Sequence, residues 1–211
     1  MHRVFFVVET TLKPFAAATE AGTQFSGMAV AWVVMIGMLA ALVFSGITLY
    51  RALQGHPAWK LPAWLDTAIP VLSLAGFGVA LYMTYIEVTK VQAICGPLGD
   101  CNAVQNSPYA MLFGWLPVGV MGLLGYVAIL AAWAWGRWRK DALAGYVPAG
   151  LIGMSVFGTL FSIYLTYIEL FVIFAVCMWC ISSAVIITLL MLACLPKAAA
   201  WLAATEEEGE V

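Results

Sequence analysis

Apolar residues in this chain accumulate in long runs rather than alternating with polar ones. Five runs stand out, at Gly27–Tyr50, Thr67–Thr89, Pro117–Gly136, Val147–Phe171 and Phe174–Pro196. Each supplies the roughly 20 residues that a helix rising 1.5 Å per residue needs to cross a bilayer core. The breaks are legible too. "RALQGHPAWKLPAW" from Arg51 carries Gly and two prolines, "CGPLGDCNAVQNSP" from Cys95 is polar and turn-forming, and "RWRKDALAG" from Arg137 is charged. The pattern predicts an all-α integral membrane protein with five spans. Residues 1–66 hold a first helix at about 27–50, residues 67–196 a four-helix core with an outer loop at 91–116, and residues 197–211 an acidic tail.

Composition agrees with the pattern. The 211 residues are 64% hydrophobic and only 9% charged, and the mean hydropathy is +0.98, far from the roughly 25% charge of a soluble domain. Nucleic acid is excluded as a partner, because no basic stretch is longer than Arg137–Lys140. Met1–Phe15 does not read as a secretory signal, since the apolar "VFFVV" is short and Glu9 follows it, so the N-terminus is expected to be retained. Lys and Arg set the expected orientation. Arg51, Lys60, Arg137, Arg139, Lys140 and Lys197 fall on one side and Arg3, Lys13 and Lys90 on the other, which puts the N-terminus outside and the C-terminus inside. The tail "EEEGEV" from Glu206 is then expected to be a disordered, solvated cytosolic end.

Within this frame the chain repeats itself. "LYMTYIEVTKVQAIC" (Leu81–Cys95) and "IYLTYIELFVIFAVC" (Ile163–Cys177) are identical at seven of fifteen positions, offset by 82 residues. Both copies share Tyr-x-Thr-Tyr-Ile-Glu, and both end on the first cysteine of a pair: Cys95 with Cys101, and Cys177 with Cys180. The helices carrying them run in the same direction with one return helix between, so all four cysteines are expected at one membrane face. That face is the oxidising one, the periplasm or exterior of a bacterium or the lumen of the endoplasmic reticulum.

Cys177-Met-Trp-Cys180 opens the last predicted helix. Cysteines three apart share a helical face, and in a first turn the unpaired N–H groups and the helix dipole favour the thiolate, the nucleophile of disulfide exchange. The spacing suits redox work, with an inert buried pair as the alternative. Structural zinc fits less well, because Cys95 and Cys101 stand six positions apart around "GPLGD". That glycine- and proline-rich loop could let its two cysteines close into a small exposed ring, either as a structural staple or as a port for a protein partner.

Cys95 and Cys101 in an outer loop, "NAVQNSPYA" behind them with Ser107, and "IYLTYIELFVIFAVCMWC" leading to the membrane pair together resemble the vitamin K epoxide reductase family, in particular its bacterial disulfide-forming branch. The likeness spans about Thr67 to Pro196, which implies a four-helix catalytic bundle with Gly27–Tyr50 as an extra helix. It implies that Cys177 and Cys180 are the active-site pair beside a bound quinone (ubiquinone, menaquinone or a related one), with Cys180 nearer the ring. Cys95 and Cys101 match the shuttle pair that receives electrons from a thioredoxin-like protein, the partner attacking Cys101 and Cys95 passing electrons to Cys177. Ser107 matches a loop residue near the quinone. The thioredoxin-like domain fused to some members is absent before Val211, so the partner is expected to be a separate periplasmic or extracytoplasmic protein, and the location a bacterial inner membrane. Animal epoxide reductases carry tyrosine where this chain has Ala184, which weighs against epoxide reduction.

The residues lead to the same chemistry. Thiol exchange only moves oxidation around, so a membrane enzyme that makes disulfides needs an electron sink, and a lipid-soluble quinone is the one at hand. Phe113, Trp115 and Trp179 are the candidate aromatic contacts, with an interfacial role as the alternative. The expected function is quinone-dependent oxidation of dithiols in a thioredoxin-like protein. One alternative is a quinone or vitamin K epoxide reductase whose main product is reduced quinone; another is a thiol-bearing transporter or metal handler, disfavoured because no span carries a midplane charge cluster. Ser107-Pro108 reads equally as the start of a short amphipathic helix. Glu87 and Glu169 are expected to reach interface water, Cys194 to be packing, and Gly76, Gly78, Gly119, Gly122 and Gly125 to let helices approach closely.

Overall fold

The structure is a computed structural model. It describes the backbone of residues 2–55, 64–95, 99–112 and 114–209, and the side chains within 26–55, 65–95, 99–112 and 114–205. Phe113, Lys60 and the side chains of the acidic tail therefore lie outside the described residues.

Five helices are long and apolar enough to cross a membrane, with spans at Ser26–Leu53, Leu65–Thr89, Val118–Trp138, Val147–Ile173 and Met178–Thr205. They belong to α1 (His2–Leu53), α2 (Trp64–Thr89), α4 (Val118–Trp138), α6 (Val147–Ile168) and α7 (Met178–Gly209). The short helices α3 (Cys101–Gln105) and α5 (Ala142–Gly145) lie in the connections. Four of the five expected spans match to within a few residues. The fifth starts later than expected, because Phe174 to Cys177 form a non-helical passage that opens with Phe174 at φ +56°. It also runs past Pro196 to Gly209, so the expected disordered tail begins as helix. "KAAAWLAATEEE" explains this, since Ala, Leu, Lys and Glu are strong helix formers.

α7 is the central element, packing against α1, α2 and α6, while α2 also packs along α4. The main core joins Ile69, Tyr126, Ile129, Leu190 and Met191. A second cluster seats the extra helix: Ala31, Met35 and Met38 of α1 meet Ile181 and Ala184 of α7. Large apolar side chains such as Val33, Ile36, Leu74 and Phe157 are exposed on the bundle, as a lipid-facing surface requires.

Glycine permits the approach of α2 to α4 at two points. A Cβ on Gly76 would fall on the Tyr126 ring, and one on Gly119 would stand 2.6 Å from Glu87 Oε2 and 2.8 Å from the Thr84 nitrogen. Gly78 and Gly125 have open space where a Cβ would sit, so the close-approach expectation does not hold for them.

The outer loop is more ordered than its turn-rich sequence implies. Asp100 caps α3, its side chain accepting the Ala103 N–H at 3.0 Å. Ser107 starts only a single 3-10 turn, Pro108–Ala110, and its side chain does not cap it; Oγ donates instead to the Val104 carbonyl at 2.7 Å. The expected short helix is cut off by a two-stranded hairpin, β1 (Met111–Leu112) with β2 (Leu116–Pro117), turned at Gly114 with φ +76°.

Candidate functional site

All four paired cysteines lie in one packed cluster. Cys101 and Cys177 are fully buried in it beside Met83, Ile86, Val104 and Ala175, and Cys95 and Cys180 pack against it half-buried. Cys95 and Cys101 form a disulfide, while Cys177 and Cys180 are free thiols. The loop is held to the bundle from two sides. Asn102 Oδ1 accepts the Ala93 N–H at 2.8 Å, and Trp179 Nε1 donates to the Ile94 carbonyl at 3.1 Å, its ring 4.6 Å from that of Tyr82.

The repeated phrase builds this cluster through its last residue. Neither Glu87 nor Glu169 reaches interface water: they are 7% and 2% exposed. Glu87 Oε2 accepts the Gly119 N–H at 2.8 Å, at the open end of α4, and Glu169 Oε2 accepts the Cys177 N–H at 3.3 Å, just before α7. Each copy thus ends one helix with a carboxylate that satisfies an orphan N–H at the start of another, which is why both carboxylates turn inward. The second copy needs an irregular backbone to do so. Glu169–Ile173 form a π-helical turn, and this wider turn precedes the left-handed Phe174.

Cys177 directly precedes α7, where the first N–H groups of the helix converge on its sulfur. The hydrogen bond from the Cys180 thiol holds the Cys177 thiol below the usual cysteine value, against the effect of burial, and the N–H groups of Cys180 and Trp179 reinforce it. The surroundings of Cys177 therefore favour its thiolate form. The buried Cys194 belongs to the main core, with its thiol on Ser155.

Beside Cys180 a cavity of about 220 Å³ opens between α2, α4, α6 and α7. Its walls are mostly apolar, including Met83, Ile129, Phe157, Phe161 and Ile187, with a few polar groups among them. Those groups include Ser107, Gln105, Tyr126, Glu87 and Glu169. Among the aromatic candidates, Trp179 lines the cavity; Trp115, 72% exposed, does not. Tyr126 and Gln105 were missed by sequence reasoning. Tyr126 reads as one more aromatic in a span, and only its hydroxyl, 3.0 Å from Ser183 Oγ, sets it apart. Ala184 faces α1 rather than the cavity.

The chemistry of this cavity fits a quinone ring. Apolar walls suit an aromatic headgroup, and buried oxygens without a partner, Glu169 Oε1 and Gln105 Oε1, belong to residues that line it. The Cys180 sulfur stands in its wall. The sequence model of the vitamin K epoxide reductase family matches residues 67–195, which covers α2 through most of α7 and leaves α1 outside.

Proposed function

Because this chain belongs to the vitamin K epoxide reductase family, whose members are quinone-linked thiol oxidoreductases, we propose that it oxidises the dithiol of a separate thioredoxin-like protein outside the cytoplasm and delivers the electrons to a membrane quinone. The observation that carries this reading is the placement of two cysteine pairs in one buried cluster, with Cys180 alone among the four at the wall of an apolar cavity. A bound quinone supplies a two-electron, two-proton acceptor. The chain's own residues do the rest.

Exposure supports one order for the relay. Cys95 is half-buried whereas Cys101 is fully buried in the cluster that holds Cys177. This favours the reverse of the expected sequence: the partner's thiolate attacks Cys95, releasing Cys101, and the partner's second thiol resolves that mixed disulfide. Cys101 then attacks the Cys177–Cys180 disulfide at Cys177, and Cys95 attacks Cys101, re-forming the loop disulfide and releasing Cys177 as a thiolate. The Cys177 thiolate then re-forms the bond with Cys180, whose electrons leave toward the cavity. Apolar side chains around the cluster keep water from the exchanging sulfurs, and Trp179 ties the loop to the start of α7 through the Ile94 carbonyl. Release of reduced quinone as the main product, or reduction of a vitamin K epoxide, is the weaker reading. At the position where epoxide reductases place tyrosine, Ala184 packs against α1 and offers the cavity no hydroxyl.

The test is anaerobic. Purified protein given a reduced thioredoxin-like protein and a soluble quinone analogue bleaches the quinone absorbance, one quinone per disulfide formed. A working control enzyme beside a silent sample refutes the proposal.

A further inference from the structure

Oxidising a dithiol releases protons as well as electrons, and the cavity must handle both. We propose that Glu169 is the proton acceptor for Cys180; the role rests on the quinone-linked reading above. When the Cys177 thiolate bonds to Cys180, the new S–S bond forms as the Cys180 S–H bond breaks. Two electrons go to the quinone, and the Cys180 proton goes to the Glu169 carboxylate, which hands it to a quinone oxygen. The second proton of the quinol comes from bulk water, balancing the one Cys177 lost on becoming a thiolate.

Four observations place Glu169 in this role. Its carboxylate accepts the Cys177 N–H at 3.3 Å and interacts electrostatically with the Cys180 thiol. One of its oxygens, Oε1, is buried without a partner, although the residue is only 2% exposed. It lines the same cavity as Cys180. It also opens the π-helical turn Glu169–Ile173, an irregularity that recurs at functional sites. The other titratable groups lining the cavity are Glu87, Tyr109, Tyr126 and Cys180, with no Lys, Arg or His among the described residues, so no fixed cation locks the carboxylate. Glu87 is the built-in contrast. It occupies the same place in the first copy of the phrase, but it holds the Gly119 N–H at 2.8 Å at the start of α4.

Glu169→Gln keeps an oxygen for the Cys177 N–H and removes only the proton acceptor. In single-turnover experiments a short-chain benzoquinone should oxidise the reduced Cys177–Cys180 pair at least about 100-fold more slowly in this variant, the scale of a lost general base. Exchange between the loop pair and a small dithiol should keep its wild-type rate, and Glu169→Asp should recover part of the quinone step. A second readout needs no quinone. The infrared difference spectrum of oxidised minus reduced protein should show a carboxylic acid C=O band that survives in Glu87→Gln and vanishes in Glu169→Gln. Wild-type quinone kinetics in Glu169→Gln, or a band that disappears with Glu87→Gln instead, would overturn the assignment. Wild-type protein that quinone fails to oxidise refutes the quinone reading, and the infrared band alone then decides whether Glu169 exchanges a proton with Cys180.

Discussion

Gly119 is where the first copy of the repeated phrase meets the next helix, and Gly119→Ala perturbs a single contact there. The added Cβ would stand 2.6 Å from Glu87 Oε2, 2.8 Å from the Thr84 nitrogen and 3.0 Å from the Met83 carbonyl carbon. Two of these three atoms are backbone, so α4 must move away from α2. Overpacking of this kind costs about 1–3 kcal/mol. The shift also lengthens the 2.8 Å hydrogen bond from Gly119 to a carboxylate that is 7% exposed, and a hydrogen bond to a charged group contributes about 1.5–3 kcal/mol. Alanine returns up to about 1 kcal/mol through helix propensity. The net expectation is a loss of about 2–5 kcal/mol. Reversible unfolding in mixed detergent measures it, with Gly78→Ala, exposed in the interior of α2 with nothing near its Cβ, as control. The control should be neutral or slightly stabilised. If Gly119→Ala unfolds with the control, Glu87 is not what joins α2 to α4.

Two further outcomes follow from the thiols. Alkylation of Cys177 in reduced protein should reach half its maximal rate below the ordinary thiol pKa of about 8.5, and Cys180→Ala should move that midpoint upward, because the Cys180 hydrogen bond is the largest cause of the lowered value. An alkylation profile unchanged by Cys180→Ala would show that the two sulfurs do not interact. In reduced, oriented vesicles a membrane-impermeant thiol reagent should label Cys95 from the outer side and leave Cys194, buried in the core midway along α7, untouched; labelling of Cys194 from outside would invert the orientation drawn from Lys and Arg.

Most of the fold could be read in advance because lipid imposes a simple rule: twenty apolar residues make a span. The cysteine pairs were legible for a similar reason, since paired spacing and a duplicated phrase mark them without any contact being known. What escaped depends on where side chains point. Glu87 and Glu169 look like residues at helix ends that reach water, and only the packed bundle shows them capping Gly119 and Cys177. A π-helical turn has no composition signal, so Glu169–Phe171 read as the end of an ordinary helix. Tyr126 and Gln105 entered the cavity wall through helix rotation and loop folding, neither of which spacing encodes. Trp115, in turn, looked like a quinone contact by type and is exposed outside the cavity.

The account stands or falls on the handover between the two pairs. In a Cys95→Ala, Cys180→Ala double variant the thiols of Cys101 and Cys177 are left together in the buried cluster, each without its own partner. Mild oxidation followed by peptide mass spectrometry under non-reducing conditions should find Cys101 joined to Cys177 in most of the protein. Two free thiols, or Cys177 joined to another chain while Cys101 stays reduced, would contradict the relay.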